Sequence, residues 1–188
     1  MKKFWKNNWG FIISMLVMLF VLFNMKARTF VTQQLFRIGL FSPSLDEKKV
    51  FGPIDEDITF ASTDGTLLKM GDLKGKVVFL NFWATWCPPC IAEMPSIQKL
   101  YNQMSDEVVF IFVDVDGQFD KSQSFLKKHN YSIPIFIMAS PIPKTVFDSS
   151  LPTTLVIDKK GNVVFRHRGM SDYSDEKFIS KLKHLINN

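Results

Sequence analysis

The sequence from about residue 54 onward predicts an α/β fold, a mixed sheet covered on both faces. Three observations predict it. Val77 to Phe82 and Val108 to Val113 are continuous apolar runs, the pattern of strands buried on both sides. Stretches of helical periodicity alternate with these strands, which calls for parallel pairing. A closing hairpin and a last amphipathic helix then add antiparallel strands to the parallel ones.

Taken in order, the chain opens with Lys2, Lys3 and Lys6, followed by an apolar run from Phe11 to Phe23 broken only by Ser14. That is the layout of a signal sequence or signal anchor. The run is short of the roughly 20 residues that cross a bilayer, so spanning draws in Trp9, Gly10, Asn24 and Met25. No A-x-A-like cleavage triplet follows it. The expectation is an uncleaved transmembrane helix over residues 1–25, with a cleaved signal or a buried core helix as alternatives. It implies a single-pass protein of the cytoplasmic or inner membrane whose domain lies on the extracytoplasmic, periplasmic side. Residues 26–53 form a juxtamembrane linker, either plain or carrying a short amphipathic helix through Val31, Leu35, Phe36 and Leu40 that Pro43 stops.

The domain proper spans residues 54–188. Ile58 to Ala61 and Thr66 to Met70, split by Asp64-Gly65, read as a hairpin. After the strand at Val77 to Phe82, a helix starts near Pro88 and runs to about Met104. The strand Val108 to Val113, a helix from Ser122 to His129 and a short strand from Ile135 to Met138 follow. Pro143 to Phe147 suits a helical turn. Thr154 to Ile157 and Val163 to His167 make the second hairpin around Asp158 to Asn162. Ser174 to Ile186 closes the chain as a helix with Phe178, Ile179, Leu182, Leu185 and Ile186 at helical spacing.

Composition narrows the function. The net charge of +5 is spread along the chain without a run of five or six basic residues, which argues against nucleic acid as partner. Only two cysteines are present, both in one tetrapeptide, so neither a disulfide framework nor a four-cysteine metal site is available. His129, His167 and His184 are not spaced as ligands beside that pair, and the methionines read as apolar filling.

Chemistry concentrates in Trp86-Cys87-Pro88-Pro89-Cys90, between a buried strand and a helix. A helix starting beside Cys87 aims backbone N–H groups and the positive end of its dipole at the first sulfur, which favours thiolate. Cys87 is therefore the expected nucleophile. Cys90, one turn in and more buried, is the resolving thiol, and the two-residue spacing allows a small disulfide between them. Pro88 and Pro89 stiffen the loop where a helix start needs no N–H.

The run Val77-Val78-Phe79-Leu80-Asn81-Phe82-Trp83-Ala84-Thr85-Trp86-Cys87-Pro88-Pro89-Cys90-Ile91-Ala92-Glu93-Met94-Pro95 resembles the active-site region of TlpA-like, membrane-anchored disulfide reductases of the thioredoxin superfamily, which include the cytochrome c maturation thioredoxins. Gly65, Leu73-Lys74-Gly75-Lys76 and Leu151-Pro152-Thr153-Thr154 also fall where that family has them. The resemblance implies a thioredoxin fold with an N-terminal β-hairpin extension and a central βα insert. It implies that Pro152 is the family's cis-proline and that Glu93 is an acidic group exchanging a proton with Cys90. Asn81 stands where ordinary thioredoxins carry a buried Asp, so Glu93 has to take over that relay. Trp86, Pro88, Pro89, Leu151 and Pro152 are the expected client-binding surface, with Trp83 in the core.

The implied activity is thiol-disulfide exchange, in the reducing direction, on an extracytoplasmic disulfide-containing client. No cofactor takes part beyond the Cys87–Cys90 disulfide, and a membrane-bound reductase reloads the dithiol. A thiol peroxidase would want a threonine three residues before the attacking cysteine and a proline four before that; Ala84 and Leu80 stand there instead. A non-enzymatic binding module using the aromatic surface is the other alternative.

Overall fold

The structure is a computed structural model and describes residues 9–24, 27, 43 and 50–188. The chain divides into two compact units, residues 1–40 and 41–188. In the first, α1 (Trp9–Phe23) is a 15-residue apolar helix with no buried side chain. It ends at Phe23, and the Asn24 side chain accepts a hydrogen bond from the Ala27 N–H just beyond.

This corrects the expectation of a transmembrane anchor. At about 1.5 Å per residue the helix falls well short of a bilayer core of about 30 Å. Among the described residues no helix is long and apolar enough to cross a membrane. A single-pass location with the domain on the extracytoplasmic side, attached to the membrane through this helix, is therefore not supported. The amphipathic helix expected around Val31 to Leu40 lies outside the described residues.

In the second unit the hairpin is β1 (Thr59–Ser62) with β2 (Leu67–Lys69), followed by a 3-10 turn at Met70–Leu73. Gly65 turns it at φ 83°, a left-handed conformation that side chains disfavour. Asp64 accepts from the Ser62 hydroxyl and from Thr66 N–H, bonds that hold its carboxyl down at about 2. Then come β3 (Val77–Trp83), α2 (Pro88–Met104), β4 (Val108–Asp114), α3 (Phe119–Lys128), β5 (Ile135–Met138), β6 (Thr153–Ile157), β7 (Val163–Arg168) and α4 (Glu176–Asn187). Pro143 to Phe147 forms a hydrogen-bonded turn, with the Val146 and Phe147 N–H groups both donating to Pro143 O.

The seven strands form one sheet in the order β2-β1-β5-β4-β3-β6-β7. The β3-β4 and β4-β5 pairs are parallel and the rest antiparallel. Two successive crossovers in one direction place α2 and α3 on the same face, because parallel crossovers share one hand. α3 and β5 are the central insert, and β1-β2 extend the sheet at β5.

Strand alternation divides the core in two. Val77, Phe79 and Trp83 of β3 and Phe110 and Phe112 of β4 join Met94, Ile97 and Leu100 of α2, Leu126 of α3, and Phe178 and Leu182 of α4. Val78, Leu80 and Phe82 face the other way, onto Ile54, Ile58, Met70, Leu73 and Val146. Both faces are covered, but α2, α3 and α4 all lie on one. The 3-10 turn, the segment before β1 and the turn at Val146 cover the second.

Candidate functional site

Cys87 and Cys90 sit where β3 passes into α2. Cys87 is the N-cap residue of α2, in extended conformation, with Pro88 and Pro89 in the first turn. Neither proline has an N–H, so the first helical donor is Cys90 N–H, and it points at Cys87 Sγ at 3.3 Å. The sequence suggested several such donors; the two prolines reduce them to one. Ile91 N–H then makes the first intrahelical bond, to Cys87 O at 3.1 Å.

The two cysteines form a disulfide, with their Cα atoms 5.3 Å apart. Cys87 is 3% exposed and Cys90 fully buried. Cys90 is thus the more buried of the two, and Cys87 is itself buried.

Beside the pair, Trp86 is 61% exposed, Pro88 exposed and Pro89 half-buried. The Trp86 indole N–H donates to Asp116 Oδ2 at 2.6 Å. Asp116 belongs to the loop after β4, which Asp114 organises by accepting from Asp116 N–H, Gln118 N–H and the Ser122 hydroxyl. Asp116 was not singled out from sequence: nothing in the spacing of Trp86 and Asp116 links them until β3 and β4 pair in register.

The Leu151-Pro152 peptide is cis. Thr153 pairs with Phe82 and Thr154 with Asn81, which sets Leu151-Pro152 level with the end of β3 from which the cysteine loop emerges. Pro152 O accepts from Gly169 N–H, and half-buried Leu151 packs on the cluster containing both cysteines.

Glu93, one helical turn beyond Cys90, is completely buried and faces the sheet. Its Oε1 accepts from Asn81 Nδ2 at 2.9 Å and its Oε2 from Ser171 N–H at 3.2 Å. Burial pushes its carboxyl well above the ordinary carboxylate range, against the two donors, which pull it down. Asn81 Nδ2 also donates to Thr154 Oγ1 at 2.8 Å, and Tyr173 O–H donates to that oxygen at 2.7 Å. Burial, and secondarily Glu93, raises Tyr173 well above the usual phenol range.

Thr154, Ser171 and Tyr173 also went unnoticed as site residues. Asn81 alone carried a signal, as the polar residue between Phe79 and Trp83 on the helix-covered face of β3. The histidines stand with ordinary partners: His129 against Phe125 and Tyr131, His167 against Phe165, and His184 beside Asn188.

Comparison with known proteins agrees with this geometry. Residues 52–181 match the Redoxin family. The thiol-disulfide oxidoreductase ResA of Bacillus cereus is 33% identical over 147 residues, 77% of this chain and 84% of that protein. The thioredoxin-like protein YneN of Bacillus subtilis is 33% identical over 116 residues, 60% of this chain and 68% of that one. Among solved structures, a thioredoxin-family thiol:disulfide interchange protein of Chlorobium tepidum superposes with a TM-score of 0.58 at 26% identity, covering 71% of this chain and 97% of its own. The pneumococcal exposed lipoprotein thioredoxin of Streptococcus pneumoniae gives 0.55 at 28% identity, covering 67% and 97%. A disulfide-bonded tetrapeptide at the head of a helix, on a mixed sheet of thioredoxin type and within the matched stretch, leads to one conclusion: the chain belongs to the Redoxin family.

Proposed function

We propose that the protein is a thiol-disulfide oxidoreductase that reduces disulfides in client proteins through Cys87 and Cys90. The observation that carries this is the Cys87 sulfur at the N-cap of α2, receiving the Cys90 N–H and bonded to the Cys90 sulfur. A sulfur so placed is stabilised as thiolate once the bond is reduced.

In the reduced protein Cys87 thiolate attacks one sulfur of a client disulfide, and the other client sulfur leaves as thiolate. Cys90 then gives up its proton and attacks Cys87 Sγ, the Cys87–Cys90 bond forms, and the second client sulfur departs. Two electrons pass from the enzyme dithiol to the client. A donor dithiol, on the sequence reading a membrane-bound reductase, restores the enzyme by the reverse exchange. The electrons reside on sulfur throughout, so the cycle needs no separate cofactor.

Within this reading Trp86, Pro88, Pro89, Leu151 and Pro152 receive the client backbone and side chains next to the sulfur. Glu93 takes the Cys90 proton, a task suited to a carboxyl that burial raises above its ordinary range. Similarity to ResA and to the thiol:disulfide interchange protein supports exchange, and the TlpA-like active-site run supports reduction as its direction. Redox titration of the Cys87–Cys90 couple tests the direction: a midpoint clearly below about −120 mV is expected, and one near that value marks an oxidant instead.

A further inference from the structure

The Glu93 carboxyl is fully buried, so its partners decide whether it can carry charge at all. β3 and β6 bring it neutral groups, the Asn81 amide and the Thr154 hydroxyl. The segment before α4 brings Ser171 N–H and the Tyr173 hydroxyl, and Cys90 lies one turn earlier on Glu93's own helix. Among the described residues no salt bridge reaches it. Two N–H donors are thus what opposes burial, and only one of them belongs to a side chain.

That side chain is itself held. Asn81 uses both hydrogens of Nδ2, one on Glu93 Oε1 and one on Thr154 Oγ1. Thr154 Oγ1 has its second lone pair filled by Tyr173 O–H. Asn81 and Thr154 are also direct cross-strand partners in the β3-β6 ladder. Turned over, the amide would set its oxygen against the carboxylate, so the hydroxyl pair favours the orientation that donates. Among the described residues Asn81 Oδ1 is left buried without a partner, the cost of aiming the amino group this way.

We propose that Asn81 is a positioning residue for thiol-disulfide exchange: clamped by Thr154 and Tyr173, its amide holds the Glu93 carboxylate ready to take the proton of Cys90. The step is a proton transfer from Cys90 Sγ–H to Glu93, coupled to attack of that sulfur on Cys87 Sγ. The Cys87–client bond breaks with its electron pair on the client sulfur, and Glu93 afterwards returns the proton to that thiolate or to solvent. Asn81 touches no reacting atom. The inference rests on the proton-accepting role of Glu93 proposed above.

A reduced full-length chain mixed with an aromatic disulfide such as dithiobis(nitrobenzoate) separates the two steps. Attack by Cys87 releases one aromatic thiolate, and resolution by Cys90 releases the second. In Asn81→Leu the first release is expected unchanged and the second slowed roughly tenfold at neutral pH, the effect of losing a hydrogen bond to a charged group. Its pH dependence shifts upward, because a donor that favoured the carboxylate is gone. Glu93→Gln slows the second release about a hundredfold, and Asn81→Leu/Glu93→Gln is no slower than Glu93→Gln alone.

An unchanged second release or an unmoved pH profile in Asn81→Leu, or additive losses in the double variant, overturns the inference while Glu93 keeps its role. A normal second release in Glu93→Gln removes the role itself and the inference with it. If Asn81→Leu does not fold, the near-isosteric Thr154→Val is read by the same two criteria, with a slowing of a few-fold expected from the freed amide; no slowing overturns the inference.

Discussion

Glu93 shows what one residue's surroundings do. Outside the protein its carboxyl ionises in the ordinary range near 4.5; inside, burial raises it well above that value. Between those two limits the unfolded chain releases a proton that the folded chain retains, so rising pH favours unfolding. The contribution of Glu93 to stability is complete below about pH 4.5 and is lost as pH climbs through the folded value. Thermal unfolding of oxidised wild type and Glu93→Gln across this window is expected to give stabilities that diverge with pH, the wild type losing ground and the variant lacking that share of the slope. Parallel curves would show a carboxyl that ionises freely. The sequence gives the position of Glu93, three residues past Cys90, but not its burial: a glutamate in a helix needs no special environment, and Tyr173 lies 80 residues away without a shared pattern. Tertiary pairing of β3 with β6 sets Asn81 beside Thr154, and the segment before α4 adds Tyr173.

Among the elements, α4 closes the helical face. Its N-cap is Asp175, whose side chain accepts from Lys177 and Phe178 N–H, and its buried face carries Phe178 and Leu182. Phe178 meets Phe79, Phe165 and Tyr173 edge-on. Phe178→Ala is expected to cost about 3–5 kcal/mol in denaturant unfolding, by lost burial and the cavity left behind. Asp175→Ala should cost only about 1 kcal/mol, since water can replace a surface cap. Equal costs would mean that α4 is held by its terminus and not by its apolar face. Periodicity revealed this helix and α2, because each needs one apolar stripe. It did not reveal what covers the second sheet face, since Ile54, Ile58, Met70, Leu73 and Val146 come from loops and a single 3-10 turn that carry no period. For α1 the apolar run was legible, but its end at Phe23 left too short a span.

For the molecule as a whole, the residues of the site lie between Asn81 and Tyr173, and the β7 edge is completed by Phe51, Gly52 and Ile54 bonding to Val163 and Gly161. Fold class was readable at this scale because alternation of apolar runs with helical stripes constrains topology strongly.

The central claim concerns division of labour between two sulfurs three residues apart. It is tested most directly by incubating reduced Cys90→Ala and Cys87→Ala variants with a disulfide-bonded protein and resolving the products without reductant. Cys90→Ala is expected to accumulate a mixed disulfide on Cys87 that added thiol discharges, while Cys87→Ala accumulates none. Adducts forming on Cys90 as readily as on Cys87, or on neither, would contradict the account.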